Sequence, residues 1–394
     1  MALEQRIAFV IPWFGENIPG GAEAACRDVA KLLAQAGCDV EVLTTCVREF
    51  RSNWNENYHP AGATVECGVT VRRFPVRVRD VAAFDRVNAK LMQNVPVTEA
   101  EEQIYLTEMV HSPELYEFIG AHRDSYVFMF TPYMFGTTIR GSRVCPERSV
   151  LIPCLHDESY ARMGIFQSMF RSVRGAIFVS EEEAALARTL YGMESSRMRV
   201  VGNPIDVSWS GDGARAKSKY GLRRFVLYAG RTDAGKNADL LAEYFRRYLD
   251  ETGADLELVF IGSEDAGALQ GRGTRSLGFV PVQDKRDLYA GALALCVPSV
   301  MESFSLVMME SWVAGRPAIA NAACAVTCGF CRKSNGGLFF EDYDEFAAIV
   351  NRLSGDPVLA DQLGRQGREY VRANFVPEVV AARYIAALSE WFGS

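Results

Sequence analysis

The residues best suited to chemistry in this sequence are two glutamates, Glu302 and Glu310, with seven residues between them. The apolar run 292–297 before them indicates a buried strand, and residues 306–314 indicate a helix. Glu302 would follow the strand in a short loop, while Glu310 would lie about one turn into the helix. Carboxylates in these places could accept hydrogen bonds from ligand hydroxyls, act as general acid and base, or stabilise a helix terminus.

Groups that suit an anionic ligand lie in the same region and in an earlier loop. The peptide N–H groups around Phe304–Leu306 stand where the predicted helix begins, which favours phosphate. Arg231 and Lys236 flank a turn that follows the apolar run 225–229. Two cations fixed at the carboxyl end of a strand suit a diphosphate, whose charge must be neutralised if it is to leave. The alternative is a solvated basic loop, since most exposed Arg and Lys residues bind nothing specific.

Two further candidates lie in the first half of the chain. Gly20 and Gly21 separate a predicted strand from a helix, so the backbone could approach a ligand and offer N–H groups to an anion. Their spacing is not G-x-G-x-x-G, which disfavours a dinucleotide site, and an ordinary glycine pair in a loop is the alternative. His156, followed by Asp157 at a strand end, could act near neutral pH or be a loop histidine.

Three cysteines, Cys324, Cys328 and Cys331, have the C-x3-C-x2-C spacing of an iron–sulfur cluster that leaves one iron open for a ligand such as S-adenosylmethionine. Such loops normally follow the first strand of a barrel, whereas these cysteines come late in an alternating α/β chain. A spacing match is a hypothesis until its structural context agrees. The cluster is therefore kept as an alternative to a buried, structural role.

Strand-like and helix-like segments alternate along the chain and must position these candidates. The predicted strands of the first half are 6–12, 39–44, 69–74, 126–131, 149–154, 175–179 and 199–201. The predicted strands of the second half are 225–229, 256–261, 276–279, 292–297, 317–320 and 337–340. The predicted helices include 22–36, 237–248, 306–314, 343–353 and 378–392.

Two successive series of this kind predict an α/β protein with two facing Rossmann-like domains and a central cleft. The break between them falls at Asn203-Pro-Ile-Asp206 and in the polar stretch that follows. We expect one domain over residues 1–205 and a second over 206–377, with a C-terminal helix in 378–394 that packs back on the first. Ligands of such sheets bind beyond the carboxyl ends of the strands, so the candidate residues are expected in the cleft.

Composition and charge exclude several classes of protein. The 49% hydrophobic and 23% charged residues are ordinary globular values, which exclude disorder and fibrous repeats. A formal net charge of −7 argues against a nucleic-acid partner. The apolar runs are far shorter than the roughly 20 residues that cross a bilayer, and the start has no signal-peptide layout. Ten cysteines without a disulfide framework fit the same expectation, a cytoplasmic protein.

In their order along the chain, these motifs resemble those of the retaining glycosyltransferases of family 4, which have the GT-B fold. The resemblance covers nearly the whole chain. The motifs that carry it are Gly20-Gly21, His156-Asp157, Ser180-Glu181, Asn203-Pro-Ile-Asp206, Gly230-Arg231 with Lys236, Gly278-Phe-Val-Pro281, Glu302 with Glu310, and Ala314-Gly-Arg-Pro317.

The resemblance implies four catalytic residues. Arg231 and Lys236 would hold the donor diphosphate in place of the metal that other glycosyltransferases use, so neither a metal nor another cofactor is expected. Glu302 would contact donor sugar hydroxyls near the reacting carbon. His156 would orient the sugar and stabilise positive charge on its ring. The first domain would then face the acceptor and the second would bind the donor.

The resemblance also implies contacts that bind the donor without taking part in the reaction. Glu310 would bind the ribose hydroxyls, and the Gly20-Gly21 loop would lie under the diphosphate. The peptide groups of Phe304, Ser305 and Leu306 would touch sugar and phosphate, and the backbone of Phe279 and Val280 would meet the base.

Two segments depart from the pattern of the family. Ser305 stands where the family usually has glycine, so its Cβ could crowd the phosphate or change how the sugar lies. Residues 321–333 are rich in cysteine where a glycine-rich, glutamate-containing loop is usual. The acceptor is therefore the least defined part of the prediction.

Two other motifs offer alternatives. Asp342-Tyr-Asp344 fits the D-x-D of metal-dependent glycosyltransferases, but its place after a strand and at the start of a helix favours capping of that helix by Asp344. The stretch 162–174 mixes three arginines with four apolar side chains: Ile165, Phe166, Met169 and Phe170. Such a stretch could lie on an anionic membrane surface, or its apolar face could be buried in the first domain.

The resemblance thus implies a metal-independent retaining hexosyltransferase. It would move a sugar from a nucleotide diphosphate sugar, UDP- or GDP-linked, to a hydroxyl of a saccharide or lipid-linked glycan in cell-surface polysaccharide synthesis. The alternatives are a nucleotide-sugar epimerase of the same fold and a non-catalytic protein that binds sugar nucleotides.

Overall fold

The computed structural model describes residues 5–18, 20–232, 234–263, 267 and 269–393. The chain folds into two compact units. Unit 1 comprises Met1–Pro204 together with Pro377–Ser394, and unit 2 comprises Ile205–Val376. These bounds differ by one residue from those expected from the sequence.

The elements before residue 205 alternate between strands and helices. The strands are β1 (Arg6–Val10), β2 (Val40–Thr45), β3 (Gly62–Glu66), β4 (Val69–Phe74), β5 (Tyr126–Phe130), β6 (Ser149–Leu151), β7 (Gly175–Phe178) and β8 (Met198–Val200). The helices are α1 (Gly21–Gln35), α2 (Val81–Met92), α3 (Glu99–Glu108), α4 (Pro113–Ala121), α5 (Gly136–Gly141), α6 (Gly164–Ser172) and α7 (Glu181–Tyr191).

The same alternation resumes after residue 205. The helices are α8 (Gly213–Tyr220), α9 (Ala238–Thr252), α10 (Val282–Gly291), α11 (Leu306–Val313), α12 (Ala325–Ser334), α13 (Tyr343–Gly355), α14 (Pro357–Asn374) and α15 (Pro377–Phe392). The strands are β9 (Phe225–Ala229), β10 (Glu257–Ile261), β11 (Thr274–Ser276), β12 (Leu295–Val297), β13 (Ala318–Asn321) and β14 (Gly337–Phe340).

The sheet of unit 1 has the strand order β3-β4-β2-β1-β5-β6-β7-β8. Its neighbouring strands are parallel except for β3 and β4, which form an antiparallel pair. Both faces are covered, because Ile7 and Phe9 enter one apolar cluster while Ala8 and Val10 enter another. This double burial explains why the first strand reads as a continuous apolar run.

The C-terminal helix α15 belongs to unit 1. Tyr384 and Trp391 of α15 are buried in the same apolar cluster as Ile7 and Phe9. The backbone carbonyl of Trp391 accepts a hydrogen bond from Arg174 Nε at 3.1 Å. Helix α15 therefore packs against the sheet of unit 1.

The sheet of unit 2 has the strand order β11-β10-β9-β12-β13-β14, and its strand pairs are parallel. Counted within the unit, this is the order 3-2-1-4-5-6 of a Rossmann fold. The order reverses between β9 and β12, so the loops that follow these two strands border the crevice in which such sheets bind ligands.

Two regions of unit 1 correct the sequence predictions. The hairpin strand β3 was not predicted because its five residues are exposed or half-buried and lack an apolar run.

In α6, the side chains of Ile165, Phe166, Met169 and Phe170 are buried in the unit 1 core. That apolar face is therefore not available for the membrane contact considered for residues 162–174. Among the described residues, no helix combines the length and apolar character needed to cross a bilayer.

Candidate functional site

The first feature of the site is an ion pair at the point where the strand order of unit 2 reverses. Lys236 ends a short 3-10 helix between β9 and α9, and Glu302 lies in the loop between β12 and α11. Lys236 Nζ donates to Glu302 Oε1 at 2.6 Å, and the two side chains are 24% and 12% exposed. Two residues that the sequence analysis proposed as ligand contacts, Lys236 and Glu302, are thus adjacent at the crevice of this sheet.

One backbone carbonyl holds the loops around this pair in place. Asn237 precedes α9 with a φ of 50°, and its side-chain amide donates to the carbonyl of Pro298 at 3.3 Å. The buried amide of Asn321, at the end of β13, donates to the same carbonyl at 3.2 Å. Loops after three neighbouring strands therefore meet at Pro298, four residues before Glu302.

Glu310 lies on the half-buried face of α11, and both of its carboxylate oxygens accept hydrogen bonds. Lys285 Nζ donates to Oε1 at 2.5 Å, and the hydroxyl of Tyr289 donates to Oε2 at 2.9 Å. Tyr289 is fully buried, and burial together with Glu310 raises the pKa of its phenol well above the ordinary value. The phenol therefore remains a hydrogen-bond donor at any working pH.

The sequence analysis missed Lys285 and Tyr289. They lie four residues apart on α10 and therefore share a face of that helix. The sequence shows that spacing. It does not show that Glu310 of another helix lies opposite Lys285 and Tyr289, and only that contact identifies them as site residues.

Ser305 has the conformation that explains why glycine is expected at this position. Its φ is 71° and its ψ is 77°, a left-handed backbone that an L-residue with a Cβ adopts at a cost. The side chain is 5% exposed, and its buried hydroxyl makes no hydrogen bond with the described residues. The carbonyl of Ser305 accepts from the N–H of Met308 at 3.1 Å and so begins α11.

The neighbours of Ser305 fix the start of this helix. Phe304 is buried against the rings of Phe330 and Phe375, with centroid distances of 5.4 and 5.0 Å. Leu306 is the first residue of α11. Because the Phe304 ring packs against these two rings, the peptide group is the part of Phe304 that remains for a ligand.

The remaining unit 2 candidates lie on loops at the same edge of the sheet. Arg231 is exposed, and its carbonyl accepts a hydrogen bond from the hydroxyl of Tyr228. Phe279 is 70% exposed and Val280 is half-buried, both between β11 and α10. Asp233, inside the turn between Arg231 and Lys236, lies outside the described residues.

In unit 1, Gly20 and Gly21 lie at the start of α1, after β1. Gly20 has a φ of 137°, and a Cβ there would come within 1.9 Å of Glu23 Oε2. Glu23 in turn accepts a hydrogen bond from the buried Trp13 indole at 2.6 Å. The loop therefore requires glycine at position 20, while Gly21 has open space around its Cα.

His156 follows β6 in unit 1 and is 30% exposed. Its Nδ1 lies 3.8 Å from Glu158 Oε1, and the Glu158 carboxylate accepts a 2.8 Å hydrogen bond from the buried hydroxyl of Tyr133. Asp157 pairs with Arg162 instead of with His156. The carboxylate near the imidazole is therefore that of Glu158 and not that of the adjacent Asp157.

The cysteine motif and the D-x-D motif have structural roles. Cys324, Cys328 and Cys331 are buried at α12, a helix that the sequence analysis did not predict. Burial raises the pKa of the Cys328 thiol to about 11. Across the described residues, no group of three His, Cys, Asp or Glu side chains could hold a metal ion.

In the D-x-D motif, the residue that caps α13 is Asp342 and not Asp344. The Oδ1 of Asp342 accepts a hydrogen bond from the N–H of Glu345 at 3.0 Å.

Comparison with known proteins identifies relatives of this chain. Residues 223–356 match the family Glycosyl transferases group 1. A D-inositol 3-phosphate glycosyltransferase of Kribbella flavida is 28% identical over 231 residues, which are 53% of this chain and 54% of that protein. This chain thus spans about half the length of that relative. These similarities confirm the resemblance to glycosyltransferases inferred from the sequence motifs.

Solved structures show the fold over nearly the whole chain. Sucrose-phosphate synthase from Thermosynechococcus elongatus superposes with a TM-score of 0.72 at 18% identity, covering 98% of this chain and 99% of that one. The Anabaena protein HepE in complex with UDP and glucose superposes with a TM-score of 0.67 at 17% identity, with the same coverage of 98% and 99%. Two parallel-sheet α/β units and these likenesses confirm the GT-B fold class.

Proposed function

We propose that this chain, whose residues 223–356 match the group 1 glycosyltransferases, is a metal-independent retaining hexosyltransferase. It transfers a sugar from a nucleotide diphosphate sugar to a hydroxyl acceptor. The observation that carries the proposal is the Lys236–Glu302 pair at the reversal point of the unit 2 sheet, with Glu310 on the helix that begins after the same loop.

The two glutamates suit two different parts of the donor. Glu310 has both oxygens oriented by Lys285 and Tyr289, and it is 25% exposed, so its remaining lone pairs can accept hydrogen bonds from ribose hydroxyls. Glu302 is held by Lys236 and can accept hydrogen bonds from sugar hydroxyls next to the reacting carbon.

The proposed chemical step forms no covalent bond between the sugar and the protein. The bond between the anomeric carbon and the diphosphate oxygen breaks, the acceptor oxygen attacks from the same face, and its proton passes to the departing phosphate. Arg231 and Lys236 stabilise the negative charge that develops on that phosphate, which is the role a metal ion has in other transferases. His156 of unit 1 stabilises the positive charge on the sugar ring.

The names of the relatives guide the choice of substrates. HepE was solved with UDP and glucose, which favours a uridine diphosphate donor as the first candidate, with a GDP-linked donor as the second. One relative is named for an inositol phosphate and another for a sucrose phosphate. We propose a hydroxyl of a saccharide, or of a lipid-linked glycan in polysaccharide synthesis, as the acceptor.

A donor screen in EDTA tests the proposal. UDP-glucose, GDP-mannose, ADP-glucose and dTDP-glucose are each incubated with the protein, and binding and slow hydrolysis are measured. We expect one donor to bind and to be hydrolysed, with both signals lost in Glu310→Ala. The matched control is Glu257→Ala, which removes another buried glutamate of unit 2 that pairs with Arg223.

Other outcomes would contradict the proposal in distinguishable ways. Donor binding with no turnover would indicate a sugar-nucleotide sensor, and a changed sugar without nucleotide release in the presence of acceptor would indicate an epimerase. No binding of any donor would show that Ser305 and the cysteine-rich helix have altered the crevice for another use. Hydrolysis that requires added metal would contradict the metal-independent mechanism.

A further inference from the structure

Glu183, the third residue of α7, has its carboxylate buried beneath the loops of unit 1. The residue is 1% exposed. Its Oε1 accepts from the N–H of Leu155 at 2.7 Å, and its Oε2 accepts from the N–H of Val179 at 2.7 Å. Both oxygens of one buried carboxylate therefore bind backbone donors of two different loops.

These two loops end neighbouring strands of the sheet. Leu155 lies after β6 and directly precedes His156, while Val179 directly follows β7. The N–H of Glu183 itself donates to the hydroxyl of Ser180 at 3.2 Å, which caps the start of α7. The carboxylate thereby fixes the peptide that leads into His156 relative to the rigid start of a helix.

The surroundings of Glu183 make this contact sensitive to charge. Burial raises the pKa of its carboxyl to about 7, while the backbone hydrogen bonds and the nearby His156 act in the opposite direction. The other titratable groups that face it are the thiol of Cys154, in the same loop as His156, and the phenol of Tyr384 on α15. Neither of these groups can carry a positive charge, whereas the imidazole of His156 acts to lower the pKa of Glu183.

We propose that Glu183 is a positioning residue that holds His156 in place for the transfer reaction. The inference rests on the proposed function, in which His156 stabilises charge on the donor sugar. A carboxylate is suited to this task because both of its oxygens accept hydrogen bonds, and the Leu155 and Val179 N–H groups both require an acceptor. A glutamine would turn an NH2 group toward one of these donors and release that loop.

A double-mutant cycle tests whether Glu183 acts through His156. The probe is hydrolysis of whichever of UDP-glucose, GDP-mannose, ADP-glucose or dTDP-glucose the wild-type protein turns over in EDTA. We expect Glu183→Gln to lower kcat at least about tenfold, as the loss of one hydrogen bond to a charged group does. The donor KM should change by less than about twofold, because the donor contacts of unit 2 are untouched. In a His156→Ala background, Glu183→Gln should lower kcat no further.

The matched control is Glu41→Gln in the same unit. Glu41 is equally buried, and its oxygens accept hydrogen bonds from Arg72 and Tyr126, on β4 and β5. Its loss should lower the unfolding temperature without changing kcat. Glu183→Asp, which keeps both acceptor oxygens, should retain more of kcat than Glu183→Gln, and it serves as the test if the glutamine variant does not fold.

Three outcomes would overturn the inference: additive losses in the double mutant, a kcat loss in Glu41→Gln equal to that in Glu183→Gln, or unchanged kcat in both Glu183 variants. Each of these requires a wild-type protein that hydrolyses a donor. A wild-type protein with no turnover would instead contradict the proposed function itself.

Discussion

Lys236 and Glu302 are joined by a 2.6 Å ion pair across the point where the strand order of unit 2 reverses. Each side chain is mostly buried, so water screens the pair only in part. In the function that we propose, a diphosphate bound to Lys236 would replace the charge of Glu302, and Glu302 would then accept hydrogen bonds from sugar hydroxyls.

We expect Lys236→Ala to abolish most of the catalytic rate. Loss of one contact to the developing charge of a leaving group costs about 3–4 kcal/mol, or a hundred- to a thousandfold in kcat. Steady-state hydrolysis of the donor measures this loss, and circular dichroism checks that the fold is retained. The control is Lys219→Ala, which removes a similar Lys–carboxylate pair, with Asp284, on α8 and α10. Near-normal turnover of the Lys236 variant would remove the diphosphate role.

Tyr289→Phe should weaken donor binding without abolishing it. The variant removes the hydroxyl that orients Glu310 Oε2 while it leaves Lys285 in place. A hydrogen bond to a charged group contributes about 1.5–3 kcal/mol. Because Lys285 still holds Glu310, we expect the lower end of this range, a rise of about tenfold in the donor dissociation constant. Calorimetric titration with the donor measures the change. An unaltered affinity would mean that Lys285 alone positions Glu310.

Ser305→Gly should stabilise unit 2. The substitution relieves a side chain in left-handed backbone and removes a buried hydroxyl that has no partner among the described residues. Relief of the backbone strain alone is worth about 1 kcal/mol, which raises a thermal transition by a few degrees.

Scanning calorimetry of the Ser305 variant should be compared with that of Ser311→Gly. Ser311 lies inside α11 with ordinary helical geometry and donates to the carbonyl of Arg316. Glycine there should lower the transition, because it weakens the helix and removes this hydrogen bond. A destabilised Ser305→Gly variant would show that the hydroxyl has a partner.

The buried carboxyl of Glu183 should make the stability of unit 1 fall as the pH rises. Its pKa is raised from 4.5 to about 7, so the folded protein holds this proton more tightly than the unfolded chain does. The contribution is full below the unfolded pKa and is lost as the pH rises through about 7. Between pH 5 and 8, the stability of wild type relative to Glu183→Gln should fall by about 2–3 kcal/mol. Urea unfolding at the two pH values measures this difference, and a pH-independent difference would contradict it.

The sequence predicted those elements whose apolar residues form a run or an alternation within the element itself. The strands 69–74, 225–229 and 337–340 were predicted with the bounds that the structure has. Helix α12 was missed because its cysteines, Gly329 and Thr327 are weak helix formers, yet their burial between neighbouring elements stabilises the helix. In the same way, the hairpin partner β3 depends on pairing with β4 and not on its own composition.

The sequence by itself determined the alternation of strands and helices, its division near residue 205 and the types of side chain that follow the predicted strands. These properties are local, since they depend on apolar periodicity and on which polar residues end each run. The tertiary structure decided which charges meet: Glu302 with Lys236, Glu310 with Lys285 and Tyr289, and Glu183 with the peptide before His156. Such pairings join residues that are distant in the chain, and only the packing of helices and loops around the sheets brings them within hydrogen-bond distance.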